Sequence, residues 1–368
     1  MAMCGYKNHE KIIENLDLSS SFQARLSKNK LFGGITMRKT VLLALLACCT
    51  PYIHAMENVN TKISNIMKLM QHPKHYSFRT VVDRSYRPEI LVMHYTAENL
   101  QRTIELFTDP GEPESEQSDA PPKKYVSAHY VIAENATTYQ VIEEKYAAHH
   151  AGISYWRGLT GTPDGSRTGA LNIHSLGIEH VNMGYKVDKS QPEGIFRGDR
   201  QWYQFDDRQI AASIKLAQEL VKKYNINPQD VVGHSDIAPK RKVDPGPLFP
   251  WDIFAKNSVG AWPDDQTYDL ECFIQAEEDQ DDDANALTNW AINHLHHWGY
   301  KLPDDQDESK KPEERASARD IIKTFQMHFR PYQIDGSVDL ETATILKSLL
   351  CEYKDALKKC PCGHIPKE

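Results

Sequence analysis

The segment Val232–Pro247, VGHSDIAPKRKVDPGP, constrains this chain more than any other, because its three prolines leave the backbone few conformations. Asp244 precedes Pro245 and is biased toward extended geometry, in which residues two apart point the same way. Lys242 and Asp244 are therefore expected to share a face, in the same short run as His234. A carboxylate and an imidazole suit a borderline metal such as zinc, and a nearby ammonium can stabilise an oxyanion. That set outlines a metallohydrolase. A proline-pinned surface loop with one capping Asp and two solvated charges fits the same residues, so the segment alone leaves both readings open. Asp236, two residues past His234, is a competing carboxylate.

Two apolar runs of strand length narrow the choice. Ile90–Tyr95 reads ILVMHY and brings His94 to the end of a buried strand, where a side chain enters a cleft or is satisfied within a core. Leu176–Val181, LGIEHV, alternates Gly177, Glu179 and Val181 on one face with Leu176, Ile178 and His180 on the other. Glu179 is then an acid inside an apolar strand, and such groups are rarely buried without a partner. His180 faces away and is expected to be structural. Tyr125–Ala133 and Thr137–Ile142 read as adjacent strands. A helix should start at Asp206 with a capping-box pattern to Gln209. It carries Ile210, Ile214, Ala217 and Val221 on one face and leads to a strand at Val231–Val232.

At 368 residues with 40% hydrophobic content, the chain exceeds one ordinary domain, and two are expected. The net charge is −8 and no basic run interrupts the body, which argues against a nucleic-acid partner. Met37-Arg38-Lys39 followed by Val41–Ala47 reads as a signal peptide over residues 37–55, preceded by an extension, 1–36, of uncertain meaning. Leu45-Leu46-Ala47-Cys48 approximates a lipobox, making Cys48 a site for lipid attachment, with cleavage after Ala55 as the competing outcome. Asp109–Lys124 is a Pro- and acid-rich loop between strands.

After a main domain at 56–265, residues 266–283 read as an acidic linker. Helical spacing of Leu287, Ala291, His294 and Trp298, then of Ala318, Ile322, Phe325 and Phe329, and a third helix from Leu340 make a small three-helix unit at 284–356, with a tail at 357–368. Cys272, Cys351, Cys360 and Cys362 would lie in an exported region and allow two bridges in three pairings.

The motifs HYTA (His94–Ala97), VSAHY (Val126–Tyr130), HHAGISYWRG (His149–Gly158), LGIE (Leu176–Glu179) and GHSDIAPKRKVDPGPLFPW (Gly233–Trp251) together resemble the zinc-dependent N-acetylmuramoyl-L-alanine amidases of the AmiD type. The same superfamily holds AmpD, the phage lysozyme-type amidases and the peptidoglycan recognition proteins. The likeness implies an α/β fold with a central mixed sheet flanked by helices. It makes His94, His234 and Asp244 ligands of Zn2+, Glu179 the general base or acid, and Lys242 the oxyanion stabiliser. The phage and recognition-protein branches carry a tyrosine before the strand histidine, where this chain has Ala128 before His129, so proton transfer falls to Glu179.

His129, His150 and Trp156 lie in matching segments as candidate substrate contacts, His150 toward the muramyl group, although packing explains each as well. The implied reaction is hydrolysis of the bond between N-acetylmuramic acid, or its anhydro form, and L-alanine in peptidoglycan or muropeptides. A non-catalytic peptidoglycan-recognition protein is the alternative. FQMHFRP (Phe325–Pro331) and DGSVDLET (Asp335–Thr342) resemble the peptidoglycan-binding domain appended to such amidases. A periplasmic monomer, anchored to the outer membrane through Cys48, completes the expectation.

Overall fold

The computed structural model describes residues 66–69, 71–81, 84–85, 87–109, 125–156, 170–187, 200–263, 286–312 and 315–353. The signal segment, the lipobox, the acidic run and every cysteine but Cys351 lie outside them.

A six-stranded sheet organises the molecule. Its order is Ile66–Lys68, Thr138–Gln140, Tyr130–Ile132, Ser175–His180, Ile90–Tyr95 and Val231–Gly233. Only the pair between Tyr130–Ile132 and Thr138–Gln140 is antiparallel, so the sheet is mixed, as expected. The central Ile90–Tyr95 strand is apolar on both faces because both are covered. Leu91 and Met93 join Leu176 and Ile178 beneath the long helix Asp207–Tyr224, which contributes Ile210, Ile214 and Ala217. Ile90 and Val92 belong to the opposite layer with Trp156, Leu171 and Ile237.

Asp206 caps the long helix, accepting from Arg208 N at 2.9 Å, and Asn225 closes it in the left-handed conformation at φ 52°. The expected partner in the cap, Gln209, does something else. Its buried amide donates to the carbonyls of Ile132 (2.8 Å) and Val181 (3.0 Å), tying the helix to the sheet.

The three C-terminal helices fall at Ala286–Trp298, Ala318–Phe329 and Leu340–Tyr353. The described residues fall in one compact unit, and the apolar cluster holding Trp298, Phe325 and Leu346 is continuous with the one holding Trp156, Ile90 and Val92. The helices therefore share a core with the sheet.

Candidate metal centre

Strand register assembles the centre. His94 lies directly across from Glu179 on a parallel neighbour, and on the other side Met93 lies across from Gly233, the residue before His234. The three side chains thus emerge together at the carboxyl ends of adjacent parallel strands, where open α/β sheets place their sites. The Pro-rich segment then returns Asp244, whose carbonyl accepts from Ser235 N at 2.9 Å. His94 Nδ1, His234 Nδ1 and Asp244 Oδ2 form a triangle with sides of 3.1, 2.9 and 3.1 Å, and all three residues are buried.

The surrounding hydrogen bonds decide where the protons sit. His234 Nε2–H donates to the Ala151 carbonyl at 3.1 Å, leaving the Nδ1 lone pair inward. Burial brings the His234 imidazole down to about 4, so it is neutral near pH 7. His94 is held through two further residues. The Ser175 hydroxyl donates to the Leu171 carbonyl, so its oxygen accepts from His150 Nε2–H at 3.1 Å. His150, held far below the usual imidazole range by burial and then by His94, is neutral, so its Nδ1 accepts from His94 Nε2–H at 3.0 Å. His94 Nδ1 faces inward, 2.9 Å from Asp244 Oδ2. Burial pushes the Asp244 carboxyl up, but His234 and His94 outweigh it and hold the group ionised, well below the carboxylate range. Two inward-facing imidazole nitrogens and a carboxylate oxygen thus meet at one point, a set that could hold a metal ion. Two imidazoles and one carboxylate are the donor set of an open zinc site.

Beside this triangle stands Glu179, whose Oε2 is buried with no hydrogen-bond partner among the described residues. Burial raises its carboxyl to about 7; His94 pulls it down, Asp244 pushes it up, and Lys242 pulls it down. Lys242 is half-buried, and its charge also opposes protonation of His234.

Three expected substrate contacts turn out to be internal. His150 lies over Gly177, where a Cβ would stand 2.7 Å from its ring, and both its nitrogens are used in the chain from Ser175 to His94. Its hydrogen bonds run to Ser175 and His94 within the protein. His129 is fully buried; its Nδ1 accepts from Gly177 N at 3.0 Å and its Nε2 lies 3.1 Å from the Tyr146 carbonyl. Trp156 is 1% exposed and donates to Asp230 Oδ1 at 3.0 Å. Asp236 takes no part in the triangle, and His180 is structural, bonded to the His94 carbonyl (2.8 Å) and Ser213 Oγ (2.7 Å).

Ser175 and Arg79 were not foreseen. Ser175 extends the Leu176 strand backward by one residue, so strand alternation puts it on the face of Gly177 and Glu179, a signal the sequence carried. The buried Arg79 guanidinium holds the carbonyls of Ile173 and Ser175 at 2.6 and 2.8 Å, fixing the start of that strand, and no spacing pattern announces it.

Sheet order and parallel register thus bring a buried His-His-Asp triangle that could hold a metal ion beside a buried acid, the outline of a hydrolase site. The N-acetylmuramoyl-L-alanine amidase family matches residues 84–247. AmiD of Escherichia coli is 36% identical over 274 residues, 73% of this chain and 84% of that protein. AmpD of Haemophilus influenzae is 31% identical over 130 residues, 35% of this chain and 56% of that protein. The structure of E. coli AmiD with anhydro-N-acetylmuramic acid-L-Ala-D-γ-Glu-L-Lys has a TM-score of 0.54 at 33% identity, covering 75% of this chain and 93% of that one. AmpDh3 of Pseudomonas aeruginosa in complex with anhydromuramic pentapeptide also scores 0.54, at 30% identity, covering 75% and 96%. The chain belongs to the N-acetylmuramoyl-L-alanine amidases, and its activity is hydrolysis of the bond between N-acetylmuramic acid and L-alanine.

Proposed function

We propose that the chain performs this hydrolysis with a zinc ion held by His94, His234 and Asp244, acting on muropeptides that include the anhydro form. The observation that carries the reading is the set of three convergent donor atoms beside a buried carboxylate oxygen without a partner. Bound zinc supplies a Lewis acid for the carbonyl and lowers the pKa of a water.

The chain's own residues supply the rest. Glu179, poised near 7, takes a proton from the attacking water and delivers it to the departing alanine nitrogen. The Lys242 ammonium stabilises the charge that develops on the carbonyl oxygen. Ser175 and His150 keep His94 in one tautomer and one orientation. The anhydromuramyl peptides bound to E. coli AmiD and P. aeruginosa AmpDh3 support the substrate class. Export under the signal at 37–55, lipid attachment at Cys48, residence at the outer membrane and a contribution of the C-terminal helices to wall binding belong to the same reading.

Incubating the full chain with defined muropeptides, with and without a chelator, tests it by product mass. Release of free stem peptide, abolished by the chelator and restored by zinc, is the expected result. Cleavage indifferent to chelation would overturn the metal assignment, and binding without cleavage would make the chain a recognition protein.

A further inference from the structure

His234 begins a helix of only four residues, His234–Ile237, too short to be stable by its own hydrogen bonds. What holds that turn is Asp236. Its carboxylate is 1% exposed, and Oδ2 accepts from Gly233 N at 2.7 Å, closing the turn around the ligand. The same turn fixes a second ligand, because Ser235 N donates to the Asp244 carbonyl at 2.9 Å.

The remaining partners of Asp236 come from the C-terminal helical segment. Tyr300 donates its hydroxyl to Oδ1 at 2.7 Å, and His328 donates Nδ1–H to Oδ2 at 2.7 Å. Both donors are themselves fixed. The His328 ring stacks on Trp251 with centroids 3.9 Å apart and planes at 17°. Tyr300 is fully buried and meets Trp156 edge-on at 5.3 Å. A wall-binding unit on a linker needs none of these bonds.

We infer that the C-terminal helical segment is a positioning element of the metal site, with Tyr300 and His328 acting through Asp236 on the turn that carries His234 and anchors Asp244. The inference rests on the metal reading of the triangle. Without the two donors, Asp236 keeps, among the described residues, only the Gly233 bond, and a buried carboxylate short of partners rearranges toward others. The turn moves with it.

The test compares the full-length wild type with Tyr300→Phe, His328→Leu and His328→Asn, the last keeping a donor near the place of Nδ1. Zinc affinity is measured by competition with a chelating dye, cobalt(II) absorption reports ligand geometry, and the thermal midpoint is recorded beside them. Tyr300→Phe and His328→Leu should each weaken zinc by roughly ten- to a hundredfold, the range for a lost outer-shell partner, and shift the cobalt spectrum. His328→Asn should recover most of the loss. Tyr300→Phe removes a single oxygen and carries the test should His328→Leu fail to fold. Unchanged affinity and spectrum in Tyr300→Phe, with only a lower midpoint, would overturn the inference while leaving the metal reading intact. Failure of the wild type to take up zinc or cobalt would overturn both.

Discussion

Glu179 and Asp236 are two acids close to the same three donors, and they are treated in opposite ways. Among the described residues, Asp236 has three donors on its two oxygens: one from its own turn, Tyr300 just past the first C-terminal helix, and His328 on the second. Glu179 has a buried Oε2 with none among those residues. A saturated carboxylate costs little to bury and fixes its surroundings, whereas an unsatisfied one is kept only where another molecule, or a proton in transit, completes it. Burial alone does not separate a working acid from a structural one. The partner count does.

The sharpest way to break this contrast is to remove the donors it is built around. His94→Ala, His234→Ala and Asp244→Ala should each lose both the metal and measurable turnover, read by elemental analysis and product mass. Normal turnover in any of them would show that the triangle is not the reactive centre.

Next in size come the groups assigned to chemistry. Glu179→Gln and Lys242→Met should keep zinc while kcat falls by roughly a hundredfold or more, with KM little changed. An unaffected single-turnover rate would remove the role from whichever residue showed it. Glu179→Gln also carries a signature in stability. The folded carboxyl, raised from 4.5 to about 7, holds a proton between those values that the unfolded chain has released, so its contribution to stability falls as pH rises through that window. In chelator, the variant should melt above the wild type at about pH 8 and lose that advantage at about pH 4. An equal difference at both would mean that Glu179 is not an unsatisfied acid.

A smaller effect is expected from Ser175→Ala, which removes the acceptor of His150 and loosens the tautomer of His94. Zinc affinity should drop by roughly tenfold, and Ser175→Thr, which keeps the hydroxyl, should restore it. The smallest effect on rate belongs to a third acid, Glu144, which is saturated like Asp236. It accepts from the hydroxyls of Tyr130 and Tyr224 and from Lys223 Nζ, the last two at 2.5 Å. Glu144→Gln should cost about 1–2 kcal/mol of stability, measured by denaturant unfolding, and leave kcat within roughly twofold. A large fall in rate would count against the partner-count argument.

The sheet strands and the long helix were legible because each rests on short-range pattern, alternation along a strand or helical spacing, whereas the grouping of His94, Glu179, His234 and Asp244 came from the family resemblance, their local patterns leaving a surface loop and a core histidine equally open. What escaped depends on bonds between distant residues. Gln209 stands where a capping box would want it, yet it reaches carbonyls 77 and 28 residues away. His150 and Trp156 sit in a loop whose composition suits a binding wall, but their partners Ser175 and Asp230 are 25 and 74 residues on. The acidic run after Trp262 suggested a tethered module, while the apolar faces of the three helices and of the sheet close on each other. Periodicity says that a face is apolar and is silent about which other face covers it.

The register across the central strands has one more consequence. A side chain on a parallel ladder changes faces when its strand slips by one residue, so a slip of Ile90–Tyr95 against Ser175–His180 would turn His94 into the layer beneath the long helix. The same slip would drive Ile90 and Val92 out of their own layer. The apolar alternation that selects the native pairing therefore also places the first donor directly across from the acid. Proofreading of the active constellation is thus carried out by the folding reaction itself: a chain that pairs its strands incorrectly is unable to react, and one that pairs them correctly has already aligned its catalyst.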